Sequence, residues 1–365
     1  MADYMQEALA LAEQGRGRTS PNPAVGAVVV RDGRVVGRGF HTWSGVEHAE
    51  TIALREAGDA AAGATLYVTL EPCSHQGRTG PCAEAIVRAG VARVVAAMED
   101  PNPQVSGRGF EQLRAAGIEV VLNDEKRAAA EGLNEAFQHY MKTGRPLITV
   151  KAALTLDGKI AAPQDNVGWI TSEVARADVQ QARHYSDAIL TGIGTVLEDD
   201  CQLTDRSGRE RSRPLLRIVL DSQLRIPLNS KMVTTANGDV LVVGTSAAPV
   251  ERRNALERAG VKVLIADGSG GRTDPRKVIE YLGKERYLSL MVEAGSKVNW
   301  TILDGDLADK VLFYYAPKIL GGLKSLPVAG GQGRMRRADA ILLERLTIHP
   351  ISENEFAVEG YLVKQ

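Results

Sequence analysis

His48-Ala49-Glu50, Glu71-Pro72-Cys73-Ser74-His75 and Pro81-Cys82 place an imidazole, two thiols and carboxylates in one short stretch. One histidine and two cysteines suit a tetrahedral zinc ion with a fourth position open to water. Zinc lowers the pKa of a bound water toward ~7, so the chemistry would be hydrolysis at neutral pH. Glu50, two residues after the histidine, is free to move protons. A structural zinc would need a fourth protein ligand, which His75 could supply.

The order His-x-Glu, then Pro-Cys and a second Cys, is the pattern of zinc deaminases acting on nucleobases. Here eight residues separate the cysteines instead of two. The extra residues carry His75 and Arg78, polar groups that a phosphorylated substrate could use.

The elements around these residues can be read from periodicity. A helix over 2–15 has Met5, Ala8, Leu9 and Ala12 on one stripe. Pro21-Asn22-Pro23 forces an extended turn. Ala24 to Val30 and Arg34 to Phe40 flank Asp32-Gly33 as a hairpin. A helix from near His48 to about Ala57 puts His48 and Glu50 in its first turn, where free N–H groups favour anions. Thr65 to Leu70 is a strand ending at the first cysteine. Cys82 opens a helix whose apolar positions are Ala83, Ile86, Val87 and Ala89, so the ligands would come from the starts of two neighbouring helices. Val91 to Met98 and Ile118 to Leu122 are strands each preceded by a helix, which implies a largely parallel sheet. Glu99-Asp100-Pro101-Asn102-Pro103 follows a strand, where such sheets bind ligands. Asn22, His41, Asp100 and Asn102 are either substrate contacts or turn formers.

At 365 residues the chain is long enough for two domains. A net charge of -1 and 5% aromatic residues argue against a nucleic-acid binder, which would be basic and offer stacking platforms. No apolar run approaches the ~20 residues of a membrane span. Three cysteines, two of them in the motif, give no disulfide framework and point to the cytoplasm.

Lys126 to Lys142 reads as one long helix, ended by Gly144-Arg145-Pro146 at a domain boundary. This divides the chain into 1–145 and 146–365. Leu147 to Ala153 is a strand, and Leu154 to Lys159 turns back on it. Ser172 caps a helix running to about His184. Ala188 to Leu190 feeds Gly192-Ile193-Gly194, a turn. Strands follow at Leu216 to Leu220, Val240 to Val243, Val261 to Ile265 and Leu288 to Val292. Asp274-Pro275 opens a helix, and the chain from Lys310 onward is strand-rich. The G-x-G-x-x-G dinucleotide fingerprint is absent. Glu293-Ala294-Gly295-Ser296-Lys297, between a strand and a helix, could hold a pyrophosphate.

Taken together, Pro21-Asn22-Pro23-x-Val25-Gly26, His48-Ala49-Glu50, Thr69-Leu70-Glu71-Pro72-Cys73-Ser74-His75, Gly77-Arg78-Thr79 and Asp100-Pro101-Asn102-Pro103 resemble the RibD family of bifunctional riboflavin-biosynthesis proteins. In the second half the matching stretches include Lys151 to Lys159, Trp169-Ile170-Thr171, Gly194-Thr195-Val196, Asp199, Leu203-Thr204-x-Arg206 and Val292-Glu293-x-Gly295. The resemblance implies an α/β protein of two domains, a cytidine-deaminase-like α/β/α domain and a dihydrofolate-reductase-like domain. It implies one zinc per chain on His48, Cys73 and Cys82, with Glu50 as the catalytic proton shuttle. Asn22, His41, His75, Arg78, Asp100 and Asn102 match positions that hold the first substrate, 2,5-diamino-6-(5-phospho-ribosylamino)pyrimidin-4(3H)-one. NADPH would meet Ala153, Trp169, Thr195, Asp199, Ser222 and Gly295, Ser296, Lys297, Val298, Asn299, Trp300 and Thr301. Val167, Arg183, Leu203, Arg206 and Glu293 would meet the second substrate, whose ribosyl group is reduced to ribityl. The chain departs from the family at Gly80, Val167, Cys201 and Ser296-Lys297.

The expected protein is therefore a cytoplasmic bifunctional enzyme acting on phosphorylated pyrimidines. It would be a homo-oligomer, dimer or tetramer, with no nucleic-acid or membrane partner. Two other readings compete: a zinc deaminase whose second half only scaffolds, and an RNA-editing deaminase.

Overall fold

Asp3 accepts the Gln6 N–H and starts the first helix, α1 (Tyr4–Gly15), whose Met5, Ala8, Leu9 and Ala12 are buried. The computed structural model describes residues 3–75, 80–102, 105–164 and 168–364. Arg78 and Val167, two of the expected substrate contacts, lie outside the described residues. The chain divides into two units, 1–144 with 210–213, and 145–209 with 214–365.

In the first unit, strands β1 (Gly26–Arg31) and β2 (Arg34–Phe40) form a hairpin, followed by helix α2 (Ala49–Ala57) and strand β3 (Thr65–Val68). Helix α3 (Cys82–Arg88), strand β4 (Arg93–Ala96), helix α4 (Arg108–Ala115) and strand β5 (Glu119–Leu122) complete the sheet region. The sheet order is β2-β1-β3-β4-β5. It is mixed rather than largely parallel: β1 pairs antiparallel with both β2 and β3, and only the β3–β4 and β4–β5 pairs are parallel. The hairpin turn at Asp32-Gly33 reverses β1 and β2, and β3 joins on the other side of β1. Gly37 and Gly39 let α2 lie on the hairpin, because a Cβ there would come 2.1 Å from the carbonyl oxygens of Ala53 and Ala49.

The single helix expected over 126–142 is two, α5 (Asp124–Leu133) and α6 (Glu135–Thr143). Asn134 breaks it. Its buried side chain accepts the Ala24 N–H at 2.8 Å and donates to the Ala24 carbonyl at 2.9 Å. An amide paired with the backbone of Ala24, just ahead of β1, fixes Asn134 outside helical geometry.

The second unit holds strands β6 (Leu147–Thr155) and β7 (Lys159–Ala161), helix α7 (Glu173–His184), strand β8 (Ala188–Gly192) and helix α8 (Ile193–Asp199). Then come β9 (Leu216–Leu220), α9 (Lys231–Thr234), β10 (Val240–Gly244), α10 (Val250–Arg258), β11 (Lys262–Ile265), α11 (Pro275–Lys284), β12 (Ser289–Val292) and α12 (Ser296–Asp304). Four strands end the chain: β13 (Lys310–Ala316), β14 (Leu326–Pro327), β15 (Leu343–Pro350) and β16 (Phe356–Leu362). The main sheet runs β11-β10-β9-β8-β12-β6-β13-β16-β15. Side chains alternate across it. Leu241 and Val243 pack in one core, Val240 and Val242 in the other. β7 pairs with β14 in a separate two-stranded sheet, not with β6. Gly192-Ile193-Gly194 is not a turn but the direct junction of β8 with α8.

Candidate functional site

His48 is the N-cap of α2 and Cys82 the first residue of α3, with Pro81 before it. Cys73 lies in the loop after β3, so only two of the three expected ligands stand at helix starts. Val87, expected on the apolar face of α3, is 37% exposed; Cys82, Ala83 and Ile86 make the buried face. His48 Nδ1 lies 3.2 Å from Cys82 Sγ and 3.5 Å from Cys73 Sγ. All three ligand atoms fall within 4.8 Å of one another. The Cys82 N–H points at Cys73 Sγ from 3.3 Å. A hydrogen bond from Cys82 holds the Cys73 thiol well below its usual range, and Cys82 is pushed up by the same bond and by burial. One thiolate is thus already favoured, and metal binding removes the second proton. The residues present fit a zinc ion.

Glu50 is buried beside this cluster. Burial, with the nearby Cys73 adding to it, pushes its carboxyl up to about 7. His41 packs edge-on against His48, with ring centroids 5.2 Å apart. Its Nδ1 donates to the Glu47 carbonyl at 2.8 Å, leaving Nε2 to accept from Asn22 Nδ2 at 3.1 Å. His41 thus links Asn22 to His48. Asp100 accepts the Asn102 N–H at 2.8 Å, and burial raises its carboxyl. His75 is exposed and is not among the clustered ligands.

Glu71 carries a role that its place in the sequence does not announce. It is 4% exposed, and its carboxylate accepts four backbone N–H groups, from Asp100, Gly107, Gly109 and Phe110. The available signal was a glutamate directly before Pro-Cys, inside an otherwise apolar strand end.

In the second unit the chain order turns two ways from the centre of the sheet. α8 leads from β8 toward β9, and α12 leads from β12 toward β13, while β8 and β12 are parallel neighbours. Open parallel sheets bind ligands at such a switch point. The N-caps Gly192 and Gly295 offer no side-chain cap. A side chain on Gly295 would begin 3.7 Å from Thr195 Oγ1, so these two expected cofactor residues are neighbours. Uncapped first-turn N–H groups of α12 fit a pyrophosphate, and the buried Asn299 Oδ1 has no partner among the described residues. The site suits a dinucleotide such as NADPH. Ser296 Oγ and Asn299 Nδ2 are committed to the carbonyls of Pro327 and Val328. Val298 packs against Gly192, Lys297 and Thr301 face outward, and the Trp300 ring lies 5.7 Å from the Arg334 guanidinium. Trp169 is 67% exposed, its ring 5.0 Å from the Arg176 guanidinium. Ala153 is half-buried near the end of β6, Asp199 is exposed at the end of α8, and Ser222 Oγ accepts the Thr273 N–H at 3.2 Å.

Glu293 follows β12 and binds Arg183 twice, at 3.1 and 2.8 Å, and Lys151 at 3.1 Å. Burial works to raise Glu293, but Lys151 and Arg183 overcome it and hold the carboxyl at about 2. Lys151 itself is lowered, because its own burial outweighs the attraction of Glu293. Two cations on one carboxylate leave one positive charge. Arg183 also donates to the Thr204 carbonyl at 3.1 Å, and His184 binds Asp205 at 3.0 Å. The last turn of α7 thereby holds the loop bearing Leu203, which is buried with φ at 52°, and Arg206, which is exposed. Lys151, His184 and Asp205 carry no sequence signal of this role, since their partners are distant in the chain.

The fold and the two sites define a zinc-binding deaminase unit joined to a reductase unit. Residues 1–98 match the cytidine and deoxycytidylate deaminase zinc-binding region, and residues 146–350 match the RibD C-terminal domain. The riboflavin biosynthesis protein RibD of Escherichia coli strain K12 is 44% identical over 339 residues, 89% of this chain and 90% of that one. Its counterpart from Actinobacillus pleuropneumoniae is 41% identical over 352 residues, covering 96% and 93%. Among solved structures, Acinetobacter baumannii RibD superposes with a TM-score of 0.87 at 37% identity, covering 99% of this chain and 98% of that one. The Thermotoga maritima diaminohydroxyphosphoribosylaminopyrimidine deaminase/5-amino-6-(5-phosphoribosylamino)uracil reductase gives 0.84 at 36%, with coverage of 99% and 98%. The chain belongs to the RibD family, the bifunctional deaminase–reductases of riboflavin biosynthesis.

Proposed function

We propose that residues 1–145 deaminate 2,5-diamino-6-(5-phospho-ribosylamino)pyrimidin-4(3H)-one and that residues 146–365 reduce the ribosyl group of the product to ribityl with NADPH. The observation that carries this reading is the convergence of His48, Cys73 and Cys82 within 4.8 Å beside a buried Glu50.

His48, Cys73 and Cys82 would hold the zinc, which when bound supplies a Lewis acid that acidifies water. Glu50, pushed up to about 7, is poised both to take and to give a proton near neutral pH. Its carboxylate accepts one proton from the attacking water and delivers it to the ring nitrogen, then carries the remaining proton of the added hydroxyl to the exocyclic amine, which leaves as ammonia. Asn22 and His41 hold the substrate from one side, Asp100 and Asn102 from another, and His75 from the loop after Cys73. In the second unit α12 would cradle the pyrophosphate of NADPH, with Thr195 and Trp169 as further contacts. The excess positive charge of Lys151 and Arg183 over Glu293 suits a phosphorylated substrate, and Arg206 adds to it. NADPH supplies the hydride; the protein supplies position and charge.

Three free cysteines support a cytoplasmic setting. The exposed Leu346 and Ile348 on edge strand β15 support a homo-oligomer. The test is incubation with the phosphorylated diaminopyrimidine, with and without NADPH, followed by ammonia assay and mass spectrometry. Ammonia release without NADPH, then gain of two hydrogens with it, is the expected result. Ammonia release with no NADPH oxidation would leave the second half as scaffold.

A further inference from the structure

Glu71 stands two residues before Cys73 and is buried with no cation bonded to it among the described contacts. Its partners are all backbone. Oε2 accepts from Asp100 at 3.1 Å and Gly107 at 2.9 Å; Oε1 accepts from Gly109 at 2.9 Å and Phe110 at 3.4 Å. The first turn of any helix leaves N–H groups unsatisfied, and a side chain at the N-cap normally covers one. Here the N-cap of α4 is Gly107, held at φ 82°, which has no side chain to offer. Glu71 supplies that cap from a distant point in the chain, and its charge suits the positive end of the helix. Gly109 completes the fit, since a Cβ there would come 2.0 Å from the Pro72 carbonyl oxygen.

Two elements of the deaminase site meet at this carboxylate. On one side is the linker to Cys73, whose carbonyl is fixed by the Ala83 N–H at 3.1 Å. On the other is the loop that carries Asp100 and Asn102. We propose that Glu71 is a positioning residue that sets the distance between the zinc-holding linker and the substrate-holding loop. This rests on the deaminase reading given above. Glu71 spends both carboxylate oxygens on these four N–H groups and is not among the clustered ligands. Its loss should free the 100–110 segment while His48, Cys73 and Cys82, tied through α2 and α3, keep their cluster.

The test uses the full-length zinc-loaded protein and two variants. Glu71→Gln keeps the shape but turns one acceptor into an amide NH₂ facing N–H groups. Gly109→Ala keeps the Glu71 carboxylate but puts a Cβ 2.0 Å from the Pro72 carbonyl oxygen and 3.1 Å from Glu71 Oε1, which pushes α4 and its N–H groups away from Glu71. For both, the deaminase KM should rise about tenfold or more while kcat changes far less, the split expected when only substrate holding is lost. Zinc should stay at one per chain, NADPH oxidation on deaminated substrate should be unchanged, and amide exchange should quicken at Asp100, Gly107, Gly109 and Phe110. A folded, zinc-loaded Glu71→Gln with wild-type KM and exchange overturns the proposal. So does zinc loss in step with activity, which would make Glu71 a support for the metal alone. If Glu71→Gln does not fold, Gly109→Ala decides by the same readouts. A wild-type protein that releases no ammonia would instead defeat the deaminase reading itself.

Discussion

His48 Nδ1 lies 3.2 Å from Cys82 Sγ, although 34 positions separate the two residues. With Cys73 Sγ at 3.5 Å, this contact completes a cluster of three ligand atoms. Cys82→Ala should purify with most of its zinc gone by metal analysis. His75→Ala should keep it, because His75 is exposed and outside the cluster. Full zinc in Cys82→Ala would sink the ligand assignment.

Glu50→Gln retains the shape of a buried side chain but cannot accept a proton. Deamination should fall by about 10²–10⁴-fold, the usual worth of a placed general base. Zinc content and NADPH oxidation should hold at wild-type levels. Near-normal ammonia release would show that another group moves the proton.

Removing zinc by chelation and dialysis should abolish deamination and spare reduction of the already deaminated substrate. All three proposed ligands lie in the first unit, within 1–144, and none of the proposed reductase residues does. Parallel loss of both activities would refute independent chemistry in the two units.

Glu293 is held at about 2 in the folded chain, below its ordinary 4.5. The unfolded state therefore binds more protons between these values, so this group stabilises the fold above pH ~4.5 and loses that effect as pH falls toward ~2. The stability gap between wild type and Glu293→Gln, measured by urea denaturation, should be constant from pH 7 to 5 and narrow below. Arg183→Ala should raise the reductase KM more than it lowers kcat. A gap that stays flat through the acidic range would count against the charge triad.

Asn134→Ala strips the buried Ala24 N–H and carbonyl of their partners. Leaving buried backbone groups unpaired costs about 1–3 kcal/mol. Equilibrium denaturation should register that loss in the first unit, and a change under about 0.5 kcal/mol would mean water replaces the amide.

Much of this was legible in the residues. The candidate cluster of His48, Cys73 and Cys82 with Glu50 beside it, the Asp32-Gly33 hairpin, the Ser172 and Asp274 caps and most strand positions rest on local signals: side-chain chemistry, turn geometry and period. The mixed sheet was not legible, because nothing within β1 says that both neighbours will run against it. The break at Asn134 depended on the backbone of Ala24, 110 positions away. The four N–H groups at Glu71 and the meeting of Lys151, Arg183 and Glu293 arise only when separate elements are packed side by side. Periodicity records which face of an element is apolar, and motifs record which atoms can do chemistry. Which backbone groups are left without partners, and which charge is brought to cover them, is settled by strand order and helix placement, because hydrogen bonds and ion pairs act across space and take no account of distance along the chain.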